Sequence, residues 1–534
     1  MAKRRQTIEI FAPGNKGLFY GPPNTFLEPE MSPNLQDAKL YYGAVQKEYG
    51  TSLFATGTGS ILGAPANLLF EAKFPGTNIL EAFTHSNVYK YTANSDTFVS
   101  DGQAFSGTYT DFWSAVVHNN NMFYSNGLDP IQVKASVSAT GTNLASALSP
   151  NTFKAWSLAS FKEHLNLYHV YEDGTEYYKR VRWTMKGVLT LTAGATDFAS
   201  GVAGGIDVQD IEGEIKCAWP VGGNMAIYAD RSIHTQYWVG GDEVYKFEKA
   251  ISGIGTPTRR GVVAFGDVNY VFGHDNIYAY FGGGDLRAIG DPIKKELYST
   301  INQSAFAYVW MEYDPIENQV LVHTPTGDST QPDTSWVYRI DDDNWSKIKR
   351  GHTANARFTR QTALTFGEVQ GNFGDANYRF GDASIRAAST TRLYSDKSGR
   401  IVKVDNTLFT VSQSGSDGAQ SFIYETPDLT GANSVDPYDK TEKIDYTSYN
   451  KRWTELELEI AGTGNAHVLY STDGGRNFVE LPESPLAMSV TGETHFLGVE
   501  ERSEQIRFRI TNTGSADQIA VTYVKAEFVP GSEN

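Results

Sequence analysis

The chain has 534 residues and a formal net charge of −17, from 45 Lys+Arg against 62 Asp+Glu. That length excludes a peptide or small disulfide scaffold, and the acidity argues against tight phosphate-backbone binding, which needs a dense basic footprint. With 30 Tyr, 29 Phe and 51 Gly the composition is strand-rich and turn-rich, and the one cysteine, Cys217, excludes an intrachain disulfide.

The first residues, Met1-Ala2-Lys3-Arg4-Arg5, are basic, but Gln6-Thr7-Ile8-Glu9-Ile10 follows where a signal peptide places an unbroken apolar core. No stretch approaches the roughly 18 consecutive apolar residues of a membrane span. The expectation is a chain with neither signal peptide nor membrane segment, folding in a reducing cytoplasm. Residues 1–50 carry Pro13, Pro22, Pro23, Pro29 and Pro33 with little alternation, which predicts an extended N-terminal arm. Lys3, Arg4 and Arg5 at its tip suit an acidic neighbouring surface and are the candidate inter-subunit contact. Gly57-Thr58-Gly59-Ser60-Ile61-Leu62-Gly63 misses the dinucleotide fingerprint by one residue and lacks a strand–helix frame.

From residue 51 to 410 one pattern recurs: a polar or Gly-containing turn, then a strand of the form apolar-Tyr-x-aromatic or its apolar equivalent. Thr84-His85-Ser86-Asn87-Val88-Tyr89-Lys90-Tyr91 and Gly273-His274-Asp275-Asn276-Ile277-Tyr278-Ala279-Tyr280 are the clearest copies. The markers Tyr89, Ile131, Tyr177, His234, Tyr278, Tyr338 and Ile401 are separated by 42, 46, 57, 44, 60 and 63 residues. Four-stranded propeller blades run about 40 to 50 residues, with insertions adding loops, so the spacing predicts a β-propeller of six to eight blades. Within one unit, Trp113–His118, the turn Asn119-Asn120-Asn121, Met122–Ser125 and Ile131–Lys134 read as a meander. Helical periodicity is confined to Pro292–Tyr298, after Asp291.

Residues 411–450, rich in Ser, Gly, Asp and Thr, predict a connector. Alternation restarts at Trp453-Thr454-Glu455-Leu456-Glu457-Leu458-Glu459-Ile460 and returns in Gln505–Ile510 and Ile519–Val524, which predicts a C-terminal β-sandwich over 451–534. The chain is therefore read as all-β, with arm, propeller, connector and sandwich in that order.

Candidate chemistry is sparse. Ser471-Thr472-Asp473-Gly474-Gly475-Arg476-Asn477-Phe478 fits an Asp-box turn, whose role is structural: Asp473 accepts N–H bonds inside the turn, Gly475 takes a conformation closed to other residues, and Phe478 packs beneath, with Ser471 opening the motif. Asp341-Asp342-Asp343-Asn344 offers oxygen ligands to a hard cation but lacks the Gly and distal Glu of a calcium loop, and so reads as a hairpin turn. His164 and His169 are five apart, one more than a metalloprotease helix requires. Arg180, Arg182, Arg259 and Arg260 read as solvated strand edges. No catalytic residue, metal or cofactor is expected.

Val221 to Lys349 resembles the β-propeller tail proteins of tailed bacteriophages, especially the nozzle or tail-stabilisation proteins of short-tailed phages. The resemblance runs through Gly222–Tyr228, Gly255-Thr256-Pro257, Val271–Tyr278, Ile289–Ile293, Tyr313–Val320, Trp336–Arg339 and Asn344-Trp345, with Ala115–Ile131 similar to an earlier blade. It implies a homo-oligomeric ring, typically of six subunits, below the portal and adaptor. Such a ring encloses the channel through which double-stranded DNA leaves, contacts the head-to-tail connector and other tail proteins, and is assembled in the host cytoplasm into the virion tail. Two other classes fit a propeller joined to a sandwich: a receptor-binding or adhesion module, and a sialidase-like glycosidase, which needs convergent carboxylates and an arginine cluster.

Overall fold

Short alternating strands cut by Gly, Asn and Asp turns can bury their apolar residues only by stacking sheet on sheet. The computed structural model describes residues 5–20, 27–41, 43–57, 61–93, 95–144, 153–172, 174–187, 198, 201–359, 390–412, 417–432, 434–436 and 439–533. Among them, six four-stranded antiparallel units follow one another at 66–100, 114–143, 154–207, 215–252, 262–288 and 310–348, and a seventh takes three strands from 352–405 and its fourth from Gly50–Leu53. The first six are meanders whose first strands pack side by side in order, and the first strand of the seventh packs against that of the first; Arg357 of the seventh donates to the Tyr313 carbonyl of the sixth at 3.0 Å. The fold is a β-propeller with seven blades, numbered here in chain order.

All seven marker residues lie on, or directly precede, the third strand of a different blade. The aromatic or branched marker repeats because the third strand faces the layers between neighbouring blades: Tyr278 shares a cluster with Cys217 and Tyr228 of blade 4, Tyr338 packs on Tyr270 of blade 5, and Ile401 shares a cluster with Leu69 and Tyr91 of blade 1. Blades 1 and 2, for example, are joined by Phe83, Trp113, Met122 and Tyr124.

The seventh blade is closed from the other end of the chain. Its outermost strand is Gly50–Leu53, paired antiparallel to Ile401–Asp405 with Val402 opposite Leu53 and Asp405 opposite Gly50. A side chain at Gly50 would put its Cβ 2.3 Å from the backbone oxygen of Thr410, so this strand fits only with glycine there.

Residues 1–50 depart from the expected arm. They have no core of their own, as their weak alternation implies, but the described residues are laid into the second body as strands. Gln6–Phe11 pairs along Ile519–Glu533 over six residues, Ala44–Lys47 pairs at Val45 and Gln46 with the same strand, and Leu35–Gln36 bridges Asn344–Ile348 to Phe422–Glu425. The expected connector is likewise structural: Phe422 and Tyr424 are fully buried. Arm, connector and residues 451–533 together build one sandwich.

One sandwich sheet contains Gln6–Phe11, Ile519–Glu533, Tyr449–Gly462 and Glu493–Ser503; the other contains Phe422–Glu425, Arg507–Asn512 and Asn465–Ser471. Through Leu35–Gln36 the second sheet is continuous with blade 6, ten strands in all. A single apolar cluster runs from Tyr270, Val322 and Trp336 in the propeller through Leu35 and Tyr424 to Trp453, Leu458 and Phe528 in the sandwich. The predicted helix forms at Lys294–Thr300 and buries Leu297 in this cluster. Trp345 locks it by donating from Nε1 to the Ile289 carbonyl at 2.8 Å.

The seam between blades 6 and 7 is polar. Trp310, His323, His352 and Tyr394 stack in a row, with centroid distances of 3.9, 6.1 and 4.0 Å. Tyr394 donates to Glu312 at 2.9 Å, and Arg392 pairs with the buried Asp314. Burial pushes both histidines below the ordinary imidazole range, His352 furthest, with Arg350 adding repulsion. A depressed histidine contributes stability above its unfolded pKa, about 6.5, that is lost as pH falls toward the folded value, at up to about 1.4 kcal/mol per pH unit per histidine. His352→Phe keeps the ring stack and removes one titrating group. Urea unfolding between pH 7.5 and 5 is expected to show a shallower acid loss in this variant, by about one proton's slope.

Candidate functional site

The Asp-box turn lies between Asn465–Ser471 and Val479–Glu480. Asp473 Oδ1 accepts the backbone N–H of Arg476 and Asn477, both at 3.0 Å, and the Ser471 hydroxyl at 2.7 Å. Asn477 donates its side-chain amide to Oδ2 at 2.6 Å. Those donors hold the carboxyl well below the usual range, the Asn477 N–H foremost. Gly475 has φ +83°, and a Cβ there would strike the Arg507 guanidinium. Phe478 packs under Arg509, whose guanidinium carbon is 3.6 Å from the ring centroid. Every valence of Asp473 is thus spent inside the turn. Asp473→Ala is expected to increase hydrogen exchange at the 475–477 amides while leaving the propeller's exchange unchanged.

Of the proposed inter-subunit contact, Lys3 and Arg4 lie outside the described residues. Arg5 sits at the sandwich edge, 3.3 Å from Glu527. It borders an outward sheet face on which Glu455, Glu457 and Glu459 alternate with the buried Leu456, Leu458 and Ile460. Across the ladders Lys525 lies between Glu457 and Glu9, and Phe496 stands opposite Glu457. Lys525 pairs with Glu457 at 2.8 Å and with Glu527 at 3.1 Å. Phe496 and Phe11 flank the carboxylates, 61% and 64% exposed, and Phe11 packs on Tyr523 with centroids 5.2 Å apart.

The acidic loop 341–344 is the hairpin turn expected of it, with Asp343 at φ +51°. Its carboxylates are taken by protein partners: Asp341 by Asn318 at 2.6 Å, Asp342 by Arg339 at 3.5 Å, Asp343 by Tyr338 at 2.7 Å and by Arg287. His164 and His169 lie on one strand, His164–Glu172, and turn to different partners, the Thr184 carbonyl and Glu176. Among the described residues no group of three His, Cys, Asp or Glu side chains is placed to hold a metal ion. No helix among them is long and apolar enough to cross a membrane. Of the Gly57–Gly63 stretch, residues 58–60 lie outside the described residues.

The arginines correct the sequence reading. Arg180 lies on the third strand of blade 3, Thr175–Trp183, held by Asp207 of the outermost strand through two bonds of 2.7 and 2.8 Å and by Glu172. Arg259 and Arg260 instead precede the innermost strand of blade 5, Val262–Phe265, and face the propeller axis. Two charges immediately before an apolar inner strand were the available signal, overridden by the default that arginine is solvated.

The axis holds a cavity of about 660 Å³ lined by first strands of all seven blades, among them Leu69, Ala115, Trp156, Cys217, Val263, Glu312 and Arg357. That is the size of a small-molecule site, about 300–1,000 Å³. It is far too small to thread a nucleic-acid duplex.

No protein-family model matches the chain, and no curated protein matches it. Among solved structures it is similar to the WD40 domain of Pan2 from Neurospora crassa, with 8% identity over 67% of this chain and 94% of that one, at a TM-score of 0.36. A chain of the mitotic checkpoint complex gives 9% identity over 66% and 94%, at 0.38. A family 29 carbohydrate-binding module, CBM29-2 with cellulohexaose, gives 13% identity over 23% and 75%, at 0.14. The strand order itself establishes the fold: the chain is a seven-bladed β-propeller whose N-terminal strands complete both its last blade and a β-sandwich.

Proposed function

We propose that the protein is a structural subunit of a bacteriophage tail, a nozzle or hub that assembles with copies of itself into a sixfold ring. That ring continues the DNA channel below the portal and adaptor, and it helps retain and then release the genome. The observation that carries the reading is the sheet running from blade 6 into the sandwich, with one apolar core beneath it. The stretch that resembles nozzle proteins, 221–349, contains that blade. A wall component under the pressure of packed DNA needs its two bodies to move as one, and a shared core supplies this without a hinge. Because the axial cavity cannot admit a duplex, the channel in this reading lies between copies.

A second reading, a receptor-binding or adhesion module, draws on the exposed Phe11 and Phe496 beside a row of carboxylates on the sandwich. Flat sheet faces with exposed aromatic rings suit sugar rings.

Native mass measurement of tails released from particles separates the two. The ring reading expects a closed oligomer of this chain that binds the adaptor. Tails that assemble normally around a monomeric copy would sink it, and binding of host-surface glycan by that monomer would favour the second.

A further inference from the structure

We infer that the axial cavity of the propeller is a binding site for a small, multiply charged oxyanion, held by Arg259, Arg260 and Arg357. All three line the cavity. Arg260 is fixed by a 2.7 Å bond from Nη1 to the Asn67 carbonyl and by the faces of Trp310 and Phe112, at 4.6 and 5.4 Å. Arg357 is anchored by a 3.0 Å bond from Nη2 to the Tyr313 carbonyl. Neither has an ion pair among the described residues. Arg259 lies 3.6 Å over the Trp156 ring, its nearest carboxylate being Glu214 at 3.9 Å, and its buried Nη1 has no hydrogen-bond partner.

Among the described residues Glu312 is the one carboxylate lining the same space. It is already engaged, accepting from Tyr394 at 2.9 Å and lying 3.5 Å from His323. Three guanidiniums against one carboxylate leave this cavity positive in a protein whose net charge is −17. Burial lowers all three guanidiniums from their ordinary pKa, Arg260 to about 10. Glu214 at the edge of Arg259 and the shared Glu312 compensate the three charges only in part; charge held out of water with too little counter-charge is costly, and an oxyanion with two or more charges offsets that cost. Guanidinium forks anchored on backbone carbonyls and aromatic faces lose little entropy on binding, and their planar N–H pairs match phosphoryl or carboxylate oxygens two at a time. Cavity size and charge together select a compact ligand of phosphate or carboxylate type.

The test titrates inorganic phosphate, pyrophosphate and citrate into the full-length protein at constant ionic strength, by calorimetry, beside Arg357→Gln and Arg260→Gln. Saturable one-site binding of at least one of the three is expected, weakened tenfold or more in Arg357→Gln. The pyrophosphate and citrate arms tell a phosphoryl ligand from a carboxylate one. Should Arg260→Gln fail to fold, Arg357→Gln decides, since its guanidinium packs on no ring. Crystals soaked in selenate supply a second readout, with an anomalous peak expected within hydrogen-bond reach of these arginines. No saturable binding, binding unchanged in Arg357→Gln, or selenate confined to the outer surface would each overturn the assignment.

Discussion

A chain lacking residues 1–53 is expected to yield no soluble folded protein. The deletion removes the outer strand of blade 7, Gly50–Leu53, and leaves the outer edge of Ile401–Asp405 unpaired. It also strips Gln6–Phe11 and Ala44–Lys47 from the sandwich, uncovering Ile519–Glu533 along an apolar edge. An uncovered edge of that length is an aggregation template. Buried Ile8, Ile10, Leu35, Leu40 and Val45 leave the common core at the same time. Loss of five such side chains, at about 1.5–3 kcal/mol each, approaches or exceeds the whole stability of an ordinary domain, about 5–15 kcal/mol. Soluble yield, circular dichroism and thermal melting check this. A truncated chain that melts like the full-length protein would mean that the arm is dispensable.

Lys134→Met is expected to cost about 3–5 kcal/mol, among the largest effects open to a single substitution here. Lys134 on blade 2 is fully buried, with Nζ against Glu81 of blade 1 and 2.9 Å from Asp101. Burial raises the Glu81 carboxyl even with the lysine present, because the desolvation of a carboxylate between two blades outweighs the ammonium's attraction. Without the ammonium the carboxylate is stranded and its pKa rises further. The sign follows: the variant's deficit is greatest at high pH and shrinks as acid protonates Glu81, since a raised group contributes its stability at low pH. The double variant Glu81→Gln, Lys134→Met should recover most of the loss, by urea unfolding at pH 8. A single variant as stable as the wild type would remove the ion pair from the account.

The propeller was legible because its signal repeats. Tyr89, Tyr177, Tyr278 and Tyr338 occupy the same strand of different blades, so one weak pattern seen seven times outweighs chance. The Asp-box turn was legible because its bonds are local, all within residues 471–477. The arm was misread for the opposite reason. Leu35–Gln36 and Ala44–Lys47 are strands of two and four residues, too short to show a period; Ala44–Lys47 has one local partner, Ala38–Tyr41, but the pairings that seat both strands in the sheets are with residues hundreds of positions away. Phe422 and Tyr424 alternate over a single four-residue strand inside a polar stretch. Arg259 and Arg260 were misassigned because only the closed ring of blades brings them to the axis. Long-range pairing leaves no local trace in composition.

For the proposed ring, the lumen should be acidic or neutral. Each Lys or Arg bound to phosphate releases counterions and holds the duplex, whereas carboxylates repel it over about 8 Å at physiological salt and let it slide. The outward sandwich face with Glu9, Glu455, Glu457 and Glu459 is one surface of this kind. A lumen studded with ordered Lys and Arg would defeat the sliding argument while leaving the ring itself in place. The most direct measurement is electron cryo-microscopy of intact tails at side-chain resolution. The account predicts a closed ring of this chain around a duplex-wide opening between copies, with every propeller axis off the DNA path. Copies standing singly at the tail periphery, enclosing no channel, would contradict it.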